Sequence, residues 1–311
     1  MSYSGRMQQS HYYSVFFAPR GRDRMYDLGI QIAQLYLSPF DKLIGIIGEA
    51  GSGKSMLIKG MFPGLELTND DDGVNVRPLP ILDLEGSGFF TAHTYHLDVR
   101  FESAFTQLGV LAEAILEAVR LGKRVIVEHF DMIYPFLKER NADLMIGVGD
   151  EIIVSRPTIF GPMPKELHDK VSKSIVYRRM AHTAEDLCEI FLPEEEYRRA
   201  RHRDIKHGFL LAFDEKAPDV DLDELELKVS TAIASDLPIT YVDDGHVRIG
   251  DIVHPCTGPR THVASTGKVD EFRLLHRILF DPIEHCWLIA GRVGPGIGGE
   301  SIDDVNDFNL D

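Results

Sequence analysis

Positions 48 to 55 read Gly48, Glu49, Ala50, Gly51, Ser52, Gly53, Lys54, Ser55, a run whose residue types suit a phosphate. Glycines at 48, 51 and 53 let the backbone curl until its N–H groups, those of Ala50 and Ser52 among them, point inward at an anion. Lys54 brings a point charge able to reach the β- and γ-phosphates, and Ser55 a hydroxyl for Mg²⁺. The spacing G-x-x-x-x-G-K-S therefore predicts a binding loop for ATP or GTP with Mg²⁺. A carboxylate at the end of a neighbouring strand completes such a site, and the candidates are Asp83, Asp98, Glu128 and Asp131. Glu128 ranks first because it closes the apolar run Arg124–Glu128, and Asp98, which ends Thr94–Asp98, comes next. With Lys54, these two form the expected catalytic set for hydrolysis or phosphoryl transfer.

A second grouping lies far along the chain. Cys256 and His262 stand close together beside an expected strand, and a thiolate with an imidazole offers two ligands to zinc. Upstream, Arg178, Arg179, Arg198, Arg199, Arg201, Arg203 and Lys206 make the densest basic stretch in the protein. Two readings stay open for it. One is a local contact with a phosphate or a tRNA acceptor end; the other is a salt-bridged exposed helix, because Glu185, Asp186, Glu189, Glu194, Glu195, Glu196 and Asp204 interleave with the basic residues.

Regular elements must position these groups. An apolar strand, Lys42–Gly48, enters the phosphate loop, and a helix, Lys54–Met61, leaves it and stops at Phe62, Pro63 and Gly64. Expected strands at Tyr12–Pro19, Leu79–Leu84, Thr94–Val99 and Arg124–Glu128 alternate with expected helices at Arg22–Leu37 and Ala104–Leu121. That is the pattern of an α/β domain with a parallel sheet. Asp70, Asp71 and Asp72 lack the spacing of a calcium loop and read as a polar turn. Past the connection at Phe160, Gly161 and Pro162 the pattern becomes α+β. It comprises a helix at Lys165–Phe191, a strand at Gly208–Phe213, a helix at Leu222–Ala234 opened by Asp221, and strands at Ile239–Val242, Val247–Ile252 and Glu271–Leu275. The expected division is 1–155 for a nucleotide-binding domain, 156–293 for a second domain and 294–311 for a loose acidic tail.

Composition narrows the classes. With 311 residues, 44% of them hydrophobic and 26% charged, the chain can bury two cores, which excludes disordered and fibrous proteins. A net charge of −16 disfavours DNA and membrane surfaces as partners. Three cysteines, Cys188, Cys256 and Cys286, are too few for a disulfide scaffold. With no leader and no long apolar run in view, a cytoplasmic protein is expected.

The stretch from Cys256 through Thr257, Gly258, His262, Val263, Thr266 and Gly267 to Phe272 resembles the C-G-G-T-H-V-x-x-T-G-x-I-G-x-F pattern of the editing domain of alanyl-tRNA synthetases. Two further segments follow the family's order. The run from His182, Thr183 and Ala184 to Asp186 and Leu187 looks like its H-T-A-T-H-L helix. Gly208–Phe213 followed by Leu222–Ile233 and Leu237-Pro238-Ile239 looks like its strand, helix and Leu-Pro-Val-like strand. The resemblance spans roughly residues 175 to 275. It implies an editing-like fold, related to the alanyl- and threonyl-tRNA synthetase editing domains, and a zinc site of His182, Asp186, Cys256 and His262. Asp186 stands where the family has its second helical histidine, and five residues separate Cys256 from His262 instead of three. Asp is itself a zinc ligand, so the set stays chemically complete. His202 and His207 are substitute ligands.

Combined, these readings imply a P-loop NTPase joined to an aminoacyl-tRNA deacylase-like domain acting on a misacylated tRNA end or another aminoacyl ester. The alternatives are a small-molecule kinase, with Asp98 or Glu128 near the acceptor hydroxyl, and a non-catalytic nucleotide-dependent sensor.

Overall fold

A computed structural model describes residues 13–67, 81–82 and 93–295. Asp83, the Asp70–Asp72 stretch, the tail from position 296 and most of the strand expected over Leu79–Leu84 lie outside the described residues. The chain divides into two units, Met1–Phe16 with Asp23–Lys173, and Phe17–Arg22 with Ser174–Asp311. The division thus falls at Lys173/Ser174, where a boundary was expected at 155/156. Two elements account for the difference: Glu151–Ser155 is a strand of the first sheet, and the helix Pro164–Phe191 runs through the division.

In chain order the first unit has β1 (Tyr13–Phe17), α1 (Arg22–Tyr36), β2 (Leu43–Gly48), α2 (Lys54–Met61), β3 (Thr94–Asp98) and α3 (Val99–Glu102). There follow α4 (Leu108–Arg120), β4 (Arg124–Glu128), α5 (Phe130–Ile133), β5 (Leu144–Val148), β6 (Glu151–Ser155) and the start of α6 (Pro164–Phe191). Among the described residues, six strands of this unit lie in the order β1-β6-β5-β2-β4-β3. β2 runs parallel to both β4 and β5, and β3 runs parallel to β4. β6 is antiparallel to β5, so the sheet is mixed where a parallel one was expected. The cause is local. Gly149 and Asp150 join β5 to β6 with a Gly149 N–H to Glu151 carbonyl bond of 3.0 Å, and so short a connection can only return antiparallel.

β2 is buried on both faces, which is why its sequence shows no alternation. α6 is held at its start by Pro164 in its first turn and by the Met163 N–H donating to Glu166 Oε2 at 2.7 Å. α1 and α2 approach at Gly29 and Gly60. A Cβ on Gly60 would stand 2.0 Å from the Tyr26 carbonyl oxygen, and one on Gly29 2.3 Å from that of Leu57. Gly60→Ala is therefore expected to cost about 3 kcal/mol in urea denaturation, despite alanine's better helix propensity. An unchanged midpoint would mean that α1 slides to make room.

The second unit continues α6 and adds α7 (Glu194–Tyr197), β7 (Arg201–Ile205), β8 (Gly208–Phe213), α8 (Leu222–Ala234), β9 (Ile239–Asp243), β10 (His246–Ile249) and β11 (Ile252–Pro255). Last come β12 (Arg273–Leu274), β13 (Leu279–Asp281) and β14 (Cys286–Arg292). One sheet has the order β12-β14-β8-β7 with β13 on β14, and a smaller one the order β11-β10-β9. Asp221 caps α8 by accepting from the Glu224 N–H at 3.0 Å. Of the charged stretch before His207, Glu194–Tyr197 is helical and carries the exposed Arg198–Glu194 pair, whereas Arg201–Ile205 is a strand and not an exposed helix. β7 pairs with β8, and Arg201 and Arg203 meet Asp214 and Asp281.

Candidate functional site

In the first unit, the loop between β2 and α2 takes up left-handed backbone at Gly51 (φ 76°) and Gly53 (φ 90°), conformations that favour glycine. Lys54 opens α2 and is buried, its Nζ donating to the Glu49 carbonyl at 2.9 Å and standing 3.7 Å from Glu128 Oε2. The register of β2 on β4 sets Glu128 opposite Ile46 at the end of the sheet. His96, on β3, meets Glu128 Oε1 at 3.1 Å. Burial alone would push the Glu128 carboxyl up, but the His96 hydrogen bond and the Lys54 charge outweigh it and hold the group below its ordinary value.

Asp98 Oδ1 accepts from the Phe101 N–H at 3.1 Å, so this carboxylate also caps α3. Asp98, Glu128 and His129 each offer a donor atom within 4.8 Å of the other two, an arrangement that fits a divalent cation beside the loop. Of the expected residues, Lys54, Glu128 and Asp98 thus meet at one end of the sheet. Sequence reasoning missed His96, although its place two residues before Asp98 in a strand fixes it to the same face.

In the second unit, His182, Asp186, Cys256 and His262 come together, their donor atoms all within 4.8 Å of one another. His182 and Asp186 share a face of α6 at i,i+4, while Cys256 and His262 bracket the turn after β11. A tetrahedral zinc with ligands at about 2.0–2.3 Å requires edges of about 3.3–3.6 Å. The edges here are 3.4 Å for His182 Nε2 to Cys256 Sγ, 3.5 Å for His182 Nε2 to Asp186 Oδ1, 2.9 Å for His262 Nε2 to Asp186 Oδ2, and 4.0 Å for His262 Nε2 to Cys256 Sγ. Two of these separations fall in that range and two lie about 0.4 Å outside it, and the two to Asp186 involve different oxygens, so holding such an ion would require His262 and the Asp186 carboxylate to shift. Asp186 reaches because its carboxylate spans the two imidazoles, and the five-residue spacer turns back through a Gly258 N–H to Cys256 Sγ contact of 3.3 Å.

The electrostatics agree with that use. Burial, with His262 and Arg20 nearby, keeps His182 well below its ordinary value and hence neutral, as a ligand must be. Burial and the Asp186 charge push the Cys256 thiol up, so its thiolate needs a cation beside it.

Around the four lies a buried polar layer: sequence reasoning missed Arg20 and His254 and placed Glu185 and Glu189, both buried, on an exposed helix. Arg20 Nε donates to Glu185 Oε2 at 3.1 Å, and Glu189 Oε2 meets His254 Nε2 at 3.0 Å. His202 lies 3.3 Å from Glu185 and 3.1 Å from Glu189, so it supports the carboxylates and does not join the four. His207 stacks on Tyr177 instead, with ring centroids 3.8 Å apart. The basic stretch is largely internally neutralised, since Arg198 and Arg199 pair with Glu194 and Glu196. A second group of basic residues lines an opening, where Arg260 stands 3.9 Å from Asp244. A cavity of about 550 Å³ beside His262 is lined by Arg179, Arg260, Lys268 and Tyr241, with Arg260 lying 4.9 Å from the Tyr241 ring centre.

No protein-family model matches the chain, and no curated protein matches it. Among the described residues, no helix is long and apolar enough to cross a membrane.

Proposed function

We propose that the chain binds ATP or GTP with Mg²⁺ at the Gly48–Ser55 loop and hydrolyses it, and that its second unit is a zinc-dependent hydrolase of aminoacyl esters on a tRNA end. The observation that carries the reading is the convergence of His182, Asp186, Cys256 and His262, drawn from α6 and from a turn some seventy to eighty positions later, with donor atoms all within 4.8 Å of one another. A zinc ion held there supplies Lewis-acid polarisation of an ester carbonyl. Arg179, Arg260 and Lys268 would meet the phosphates of the acceptor end at the cavity, and Tyr241 offers a ring to a base. Such a local contact is compatible with a net charge of −16, because the three cations are gathered at one opening. In the first unit, Lys54 and the loop amides would hold the β- and γ-phosphates, with Ser55, Glu128 and Asp98 beside the magnesium.

The test is release of free amino acid from misacylated tRNA by the intact chain. A chelator should stop it and added zinc restore it; an undiminished rate in chelator would remove the metal-dependent reading.

A further inference from the structure

Glu49 sets a carboxylate in a loop that, on the reading above, receives a polyphosphate. Like charges repel there, so the carboxylate has to be tied away from the phosphates or compensated. The first unit does the tying with α6. His168 and Ser172 lie at i,i+4 on that helix and therefore on one face. Ser172 Oγ donates to Glu49 Oε1 at 3.0 Å and stands 3.2 Å from His168 Nε2. The same Nε2 lies 3.9 Å from Glu49 Oε1 and 3.9 Å from Asp131 Oδ2, and Nδ1 of the ring lies 3.6 Å from Asp169. Three carboxylates from the loop, α5 and α6 thus converge on one imidazole. Meanwhile the backbone carbonyl of Glu49 accepts from the Ser52 N–H at 3.2 Å and from Lys54 Nζ at 2.9 Å. One residue is held at both ends, its carbonyl by the phosphate-binding lysine and its carboxylate by α6.

We propose that His168 and Ser172 are positioning residues of the nucleotide site, which hold the Glu49 side chain on α6 and out of the phosphate cradle and so set the affinity for a nucleoside triphosphate. The inference rests on the nucleotide-binding reading. It predicts that loss of either α6 side chain weakens binding through Glu49, and that the loss disappears once Glu49 carries no charge.

Calorimetric titration of the intact chain with MgATP tests this. His168→Ala is expected to weaken binding by about tenfold and Ser172→Ala by about threefold, while Glu49→Gln binds at least as tightly as the parent. In the Glu49→Gln background, both substitutions should fall within about twofold of Glu49→Gln alone, a rescue that a merely structural role would not produce. Affinities unchanged by His168→Ala and Ser172→Ala, or losses that persist with Gln at position 49, would overturn the proposal. His168→Gln provides the same reading if the alanine variant folds poorly. Lys54→Ala separates the two levels: if the parent fails to bind MgATP, or binds it no better than Lys54→Ala, the nucleotide reading falls and this inference with it.

Discussion

Replacing Cys256 by Ala should empty the second unit of zinc, whereas the parent is expected to purify with about one zinc per chain; elemental analysis is the measurement. The expectation follows from what the four donors are without an ion. Cys256 and His182 are buried, the thiol is pushed up by burial and by Asp186, and the imidazole is held neutral. A dication reverses the thiol's preference and lets the Gly258 N–H, 3.3 Å from Sγ, serve a thiolate. Losing one of four ligands forfeits the chelate. At free zinc about a thousandfold above the dissociation constant, the bound ion contributes about 4 kcal/mol, so Cys256→Ala should lower the unit's Tm by on the order of 10 °C. It should also remove ester hydrolysis. His262→Ala should behave alike, since its ring sits 2.9 Å from Asp186. Cys286→Ala supplies the contrast, because that thiol is buried in β14 outside the four. Full zinc occupancy in Cys256→Ala would end the metal assignment, and an equal zinc loss in Cys286→Ala would mean that unfolding, not ligation, is being read.

How much of this was legible follows from the range of the forces involved. α2, β4, β8 and α8 are visible in the sequence because each is fixed locally: by the glycine loop before Lys54, by the apolar run ending at Glu128, by the run Gly208–Phe213, and by the Asp221 cap. β5 and β14 escaped because both are mostly buried, so neither alternates, and each contains a glycine that reads as a break. β7 reads as an exposed helix because its charges suggest one. Its partners, Asp214 and Asp281, are supplied by tertiary structure. The four candidate metal ligands were legible only through the order of the pattern they resemble; nothing local ties Cys256 to His182. Their support was not legible at all, since Arg20 and Glu185 meet across 165 positions. The same holds for Glu49 and Ser172, whose bond spans 123 positions.

Lys54→Ala should weaken ATP binding at least a hundredfold, and the difficulty lies in showing that the fold is not what failed. Lys54 and Glu128 are both buried, and their charges stand 3.7 Å apart. Removing the lysine leaves Glu128 buried against His96, and breaking such a pair costs about 3–5 kcal/mol. A folded-state carboxyl held below its ordinary value of 4.5 contributes stability that is fully present above about that pH and is lost as the pH falls through the folded value. Lys54→Ala should therefore lower the urea midpoint at neutral pH and narrow its gap to the parent in acid, where the parent's own advantage is titrated away. The double variant Lys54→Ala/Glu128→Gln removes the unpaired charge, so it should recover most of the lost stability while ATP binding stays absent. Stability that returns without binding assigns the lysine to the phosphate. Binding that returns together with stability would make Lys54 a structural partner of Glu128, and the Gly48–Ser55 turn a loop without a ligand.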